Sequence, residues 1–261
     1  MMNWSLFPPR TSEVQFDEKW AFVGKKQEQC NPTNPEDAKH GDNWDHVAFD
    51  PEHKLVVSLV AGKRTKENVN RLIADFRERT QGRLMRLFSS DEYKPYKDAI
   101  LKEYGRRIPR RRRFRLGRSP LPIWVAPEGL LYATVHKHRR NGRVVRVTKH
   151  VIYGSHVQLD AALAASPCSR SVNVAFIERY NATDRHHNSR KIRHSYRFSK
   201  DWDAHNEATW FTTGVYNFCW PVRTLILDGH QQTPAMSAGL SEHVWTLKEW
   251  LEHPVKFHLV I

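Results

Sequence analysis

An α/β fold is what this sequence predicts, on three observations. Short apolar segments of strand period crowd its first third. Segments of helix period follow them, and hydrophobic residues make up 39% of the 261, nine of them tryptophan. That much apolar material supports a packed core and excludes a disordered chain. Residues 13–24 place Val14, Phe16, Trp20 and Phe22 at even spacings, the signature of a strand. The polar stretch 25–43, rich in Asn, Pro, Lys and Asp, reads as a loop. Trp44–Phe49 and Leu55–Ala61 read as two more strands joined by the turn Asp50-Pro51-Glu52-His53, completing a three-stranded antiparallel meander. Thr65 is placed to cap a helix running to about Thr80, with Val69, Leu72, Ile73 and Phe76 on its buried face and Gly82 at its end.

Arg83–Phe88 then reads as a short strand, and Tyr93–Tyr104 as a helix closed by Gly105. Three strands, a helix, a strand and a helix is the order of an RNase H-like core of the retroviral-integrase type. A hairpin is expected over Leu130–His138 and Arg143–Tyr153, turning at Asn141-Gly142. Residues 156–165 read as helical, and a longer helix beginning near Val172 carries Glu178 towards His187. Residues 200–227 and 241–252 read as two final helices separated by a loop with Gly and Pro. The expected organisation is a tail over 1–12, one domain over 13–252 with a basic β-hairpin inserted at about 106–155 and a C-terminal helical extension, and a tail over 253–261.

Lysine and arginine total 42 against 28 acidic residues, a formal charge of +14. Such a surplus favours a polyanionic partner, because each neutralised phosphate releases condensed counterions. A basic but otherwise ordinary enzyme, a membrane surface and an acidic substrate are the alternatives. Eight arginines fall within thirteen positions: Arg106, Arg107, Arg110, Arg111, Arg112, Arg113, Arg115 and Arg118. With Lys137, Arg139, Arg140, Arg143 and Arg146 of the hairpin they would follow a DNA backbone, positioning the duplex without reading its sequence. The other reading is a solvated charged loop. Trp124 either packs under the hairpin or stacks on an unpaired base. Three scattered cysteines with no CxxC pair exclude a disulfide framework and a zinc knuckle. His186, His187 and His194 have no matching cysteines or i,i+4 partner, so they read as structural or phosphate-side residues. No apolar run approaches a membrane span, and the expectation is a soluble, cytoplasmic, nucleoid-associated protein of bacterial type with no membrane partner.

Three acidic residues sit where such a core could bring carboxylates together: Asp17 within the first strand, Asp91 after the fourth, and Glu178 on a late helix. Each has a plainer explanation. Alternation groups Asp17 with Gln15 and Lys19 on an exposed strand face, Asp91 could cap a helix beginning at Glu92, and Glu178 could pair with Arg185. Phosphoryl transfer needs carboxylates able to hold two divalent cations about 3.5–4 Å apart, and hard oxygen ligands suit magnesium or manganese.

Longer segments carry a resemblance. Asp17-Glu18-Lys19-Trp20-Ala21-Phe22-Val23-Gly24-Lys25-Lys26 is similar to the first-aspartate motif of the InsB-like insertion-sequence transposases, a DDE-type family. Leu87-Phe88-Ser89-Ser90-Asp91-Glu92-Tyr93 resembles the second-aspartate segment. Asn173-Val174-Ala175-Phe176-Ile177-Glu178-Arg179-Tyr180-Asn181, continuing to Arg185-His186-His187-Asn188-Ser189-Arg190, resembles the glutamate segment. Residues Tyr216 to Leu225 and Thr233-Pro234-Ala235-Met236 are similar to the C-terminal signatures. The resemblance runs in order from about 13 to 252. It implies an RNase H-like fold, a double-stranded DNA substrate (element ends and target) and a site for two Mg2+ or Mn2+ ions. In it Asp17 and Asp91 share one metal, Glu178 completes the second site, and Asn181 and Arg185 orient DNA phosphates. It also implies a homo-oligomer on DNA and, since no recognition module precedes Asp17, an upstream-encoded DNA-recognition protein as partner. A DNA-binding protein that keeps the surface without transposition, and a nuclease of the same fold, are the competing expectations.

Overall fold

The computed structural model describes residues 2–3, 8–110, 121–192, 195–253 and 256–257. Its architecture grows around one long strand. After the short β1 (Met2–Asn3), β2 spans Glu13–Val23 and is buried along nearly its whole length on both faces. On one face Val14 and Phe16 are fully buried. Phe16 meets Phe76 edge-on at 5.6 Å and stacks on Tyr96 at 5.4 Å between ring centres. On the other face Gln15 and Lys19 are equally buried, which corrects the exposed face expected from alternation. A central strand with layers on both sides has no solvent face, so polarity along it marks function or ion pairing rather than exposure.

The loop over 25–40 holds two short 3-10 turns, the second opened by Asn34, whose side chain accepts from the Glu36 amide. β3 (Gly41–Asp50) and β4 (Leu55–Gly62) follow antiparallel, as expected, with β3 beginning three residues earlier. Thr65 caps α1 (Lys66–Arg79) by accepting from the Asn68 amide. β5 occupies Leu87–Asp91 rather than 83–88. The two arginines before it are engaged otherwise, Arg83 donating to the carbonyls of Pro8 and Thr11 and Arg86 to that of Ala165. α2 begins at Pro95, not Tyr93, and ends at Tyr104.

The strands β6 (Arg106–Ile108) and β7 (Ile123–Val125) pair in a small exposed ribbon. β8 (Tyr132–Arg140) and β9 (Arg143–Tyr153) form the hairpin, with Asn141 and Gly142 both at positive φ (50° and 76°). Those angles are what a two-residue primed turn requires. Nothing lies within 4 Å of a Cβ added at Gly142, so Gly142→Ala isolates the backbone cost. It should lower stability by about 1 kcal/mol in urea titration, with the fold unchanged.

The hairpin is not an insertion. β8 pairs parallel with β5, Phe88 opposite Tyr132 through Asp91 opposite Val135, and joins a six-stranded mixed sheet of order β4-β3-β2-β5-β8-β9. Ala133 and Val135 are buried, His136 to His138 are half-buried, and the end of β8 and most of β9 are exposed. Charge density suggested an appendage, but the first residues of β8 are apolar because they are core.

α3 (His156–Ala164) opens with a complete capping box between Ser155 and Gln158, and α4 spans Ala175–His187. α1 and α2 cover one face of the sheet with Val69, Leu72, Phe76, Tyr96 and Ile100. The opposite face carries two clusters, one joining Val47, Phe49 and Leu59 to Ile177, Tyr180 and Tyr216, the other joining Ala133 and Val135 to Leu159 and Val172. α5 (Trp202–Gly214) runs into a π-turn over Val215–Cys219. There the Asn217 amide accepts from the Val56 amide at 3.1 Å and donates to the Val56 carbonyl at 2.9 Å, on the outer strand β4. The C-terminal third is less helical than expected. β10 (Val222–Leu227) and β11 (His230–Gln232) form a ribbon turning at Asp228-Gly229, followed by α6 (Pro234–Ser237), α7 (Leu247–Glu252) and β12 (Lys256–Phe257), which pairs with β1. β-branched and Leu-rich 222–227 favours a strand once Pro221 has ended the π-turn.

Candidate active-site cleft

Parallel pairing of β2 and β5 sets Phe16 opposite Ser90, so Asp17 and Asp91 occupy neighbouring positions where β5 ends and β2 continues. α4 crosses over this point. Gln15 anchors it, its side chain donating to the Asn173 carbonyl at 2.9 Å and accepting from the Ile177 amide at 3.0 Å. Glu178, next along the helix, is thereby aimed at the ends of both strands. Asp17, Asp91 and Glu178 line one open cleft of about 420 Å³, with Arg64, Tyr93, His136, Lys137 and Arg139 among its other walls.

The three carboxylates differ in setting. Burial, reinforced by the charges of Glu18, Asp91 and Glu178, pushes the Asp17 carboxyl up to about 7. Its Oδ2 accepts from the Asn181 side-chain amide at 2.8 Å. Asp91 accepts from the Tyr93 amide at 3.0 Å, pinning the turn before α2, and it does not cap that helix. Glu178 is half-exposed and takes a charged hydrogen bond from Lys137 of β8, not from Arg185. Lys137 was assigned to DNA by charge alone. In the structure it bridges the hairpin to α4.

Asn181 is buried against Asp17, so its amide is not presented to phosphates, a correction to the role implied by the resemblance. Arg185 lies one turn on, half-buried. Arg106, Arg107 and Arg110 are exposed beside the β6–β7 ribbon, where the Arg107 guanidinium lies 5.8 Å from the Trp124 ring. Trp124 is 41% exposed and not packed under the hairpin. Arg111, Arg112, Arg113, Arg115, Arg118 and His194 lie outside the described residues. His187 rests against Trp220 at 4.4 Å, and His186 is exposed.

Two features escaped sequence reasoning. Arg64, at the exit of β4, donates to Glu18 at 2.8 Å and stacks over Tyr93 at 4.0 Å, fixing the cleft wall. Deeper, Lys19, Asp45, Asp184 and Lys191 form a closed ring of alternating charge with every side chain at most 3% exposed. Lys19 bonds Asp184 and lies 3.2 Å from Asp45, and Lys191 lies 2.5 Å from Asp45 and 3.6 Å from Asp184. The i,i+2 spacing of Asp17 and Lys19 was the available signal, since both point towards α4. The i,i+3 spacing of Asn181 and Asp184 repeats it from the helix side.

The donor set is chemically suited to a hard divalent cation: carboxylate oxygens, one of them destabilised as an anion by burial and like charge. The Asn181 side-chain oxygen is also buried and accepts no hydrogen bond among the described residues. Among the described residues no three His, Cys, Asp or Glu side chains stand close enough together to enclose an ion, Glu178 being held by Lys137 instead. No helix among them is long and apolar enough to cross a membrane. No protein-family model matches the chain, and no curated protein matches it.

Proposed function

We propose that the chain is the catalytic domain of a DDE transposase, an RNase H-like enzyme that cleaves and transfers DNA strands at an insertion sequence. The observation that carries this reading is that Asp17, Asp91 and Glu178, from two adjacent parallel strands and the helix over them, line one cleft. The strand order supports it too: an antiparallel meander β2-β3-β4, then β5 beside β2 and β8 beside β5, both parallel. So does the motif resemblance to the InsB-like transposases. Asp17, Asp91 and Glu178 would hold two Mg2+ or Mn2+ ions, which supply Lewis-acid charge at the attacking and leaving oxygens.

The chain's own groups do the rest. Asn181 fixes the Asp17 carboxylate, and Arg64 neutralises Glu18 so that the anionic pocket is not overcharged. Arg139 on the cleft wall and the exposed Arg106, Arg107 and Arg110 attract the phosphate backbone of double-stranded DNA. A hydroxyl, from water and then from a freed 3′ end, attacks the phosphorus in line, and the opposite oxygen leaves with the bonding pair. A homo-oligomer on DNA and an upstream-encoded recognition protein belong to this proposal.

The test is nicking and joining of supercoiled plasmid with manganese by the wild type, Asp91→Asn and Glu178→Gln. Each variant should lose at least roughly 100-fold in rate while keeping DNA binding. Equal behaviour of all three, with binding intact, leaves a DNA-binding protein without catalysis. Nicking with no joined product leaves a hydrolytic nuclease.

A further inference from the structure

A second cavity lies farther along β2, past Asp17. It is an open pocket of about 450 Å³ walled by Trp20, Phe22, Tyr196 and Phe198, with Lys26 and Arg190 at its margin. Three of the rings form a continuous run, Trp20 to Phe22 at 5.8 Å and Phe22 to Phe198 at 4.6 Å, while Tyr196 stands 97% exposed. The segment bearing Phe198 is tied to the end of β2 by backbone: Val23 bridges Ser199, and the Gly24 amide donates to the Ser199 carbonyl at 2.7 Å. Lys200 lies over the Phe198 ring at 3.0 Å. Phe198 is thus held, half-buried, between Phe22 and Lys200 as the wall of the pocket, and the ring left open to solvent is Tyr196.

We propose that this pocket takes an unpaired nucleobase of a DNA strand, stacked on Tyr196 against the wall of Trp20, Phe22 and Phe198, with Lys26 and Arg190 on the flanking phosphates. The inference rests on the DNA-processing reading of the cleft and adds the form of DNA it engages. Charge and shape select this occupant over an apolar one. The pocket is aromatic rather than aliphatic, its margin is cationic, and the chain carries +14 overall. Sequence-tolerant strand binding uses this combination, in which π-faces take the base and cations take the backbone.

The experiment uses the full chain and two 20-nucleotide probes carrying 2-aminopurine at one position, one single-stranded and one fully paired. Wild type should quench the single-strand probe, and Tyr196→Ala and Phe198→Ala should each weaken its binding about tenfold. Both should bind the duplex as the wild type does. Tyr196 is so exposed that its removal leaves the fold intact, which protects the test against misfolding. Absence of quenching in the wild type, or unchanged single-strand affinity in both variants, overturns the pocket. Plasmid nicking by the same proteins separates the two readings. Quenching without wild-type nicking removes the catalytic proposal and keeps the pocket, and nicking without quenching does the reverse.

Discussion

Asp45→Asn should cost about 3–5 kcal/mol of stability, seen as a large fall in urea midpoint. Asp45 is fully buried and touches both lysines of the ring, so the substitution leaves Lys19 and Lys191 facing Asp184 alone, a net buried charge. Against a typical total of about 5–15 kcal/mol, that loss removes from about a fifth to all of the folding free energy. The ring ties four elements: β2, β3, α4 and the 3-10 turn over Ser189–Lys191. Burial by itself would raise the Asp45 carboxyl, but the ammonium charges of Lys191 and Lys19 overrule it and hold it far below its ordinary value. Asp184 is held low in the same way by the same two lysines. A depressed carboxyl contributes fully above its unfolded value, about 3.9, and loses that contribution as pH falls towards the folded one. Wild type and Asp45→Asn should therefore differ most at neutral pH and converge in acid. Replacing Asp45 and Lys191 together by Leu and Met should cost less than the sum of the single changes. An Asp45→Asn protein as stable as the wild type at pH 7 would mean the ring contributes nothing net.

Asp17→Asn should move activity and stability in opposite directions. On the proposed catalysis nicking should fall on the order of 1,000-fold or more, because a carboxylate that would hold a metal ion is gone. Stability of the metal-free protein should rise at pH 8 by about 2 kcal/mol. The sign follows from burial and like charge. Asp17 binds its proton up to about pH 7 when folded but only to 3.8 when unfolded, so rising pH through that window destabilises the native state. Asparagine never ionises and keeps a polar partner for Asn181. At pH 4 the two proteins should be nearly equal. A variant less stable than the wild type at pH 8 would show that the metal-free cleft does not strain against its own charge. Sites that destabilise their fold in this way are usual where function outranks stability.

Much of the frame was legible because local rules and the fold agree. Thr65 caps α1, Asn141-Gly142 makes the primed turn, and Leu55 to Gly62 is the apolar strand it reads as. The alternation rule misled at Gln15, Asp17 and Lys19, because it assumes one wet face and β2 has none. Asp17, Asp91 and Glu178 were singled out by motif order; the register of β2 with β5 sets Asp17 beside Asp91, and all three line one cleft without closing to the spacing of an ion site. Arg64 and the ring of Lys19, Asp45, Asp184 and Lys191 were not legible. Their partners lie up to 165 residues apart, and only tertiary packing joins them. Residues 222–227 show the reverse failure, where a helical reading ignored the β-branched and Leu content.

The Asn217 amide has a consequence for how molecules of this chain meet one another. By engaging both backbone groups of Val56 it imitates a passing strand for the length of one residue. A strand arriving from a second molecule would have to displace that amide before it could zip along β4. The π-turn thus covers one residue of an otherwise open sheet edge, placed by a helix that overruns its own last turn.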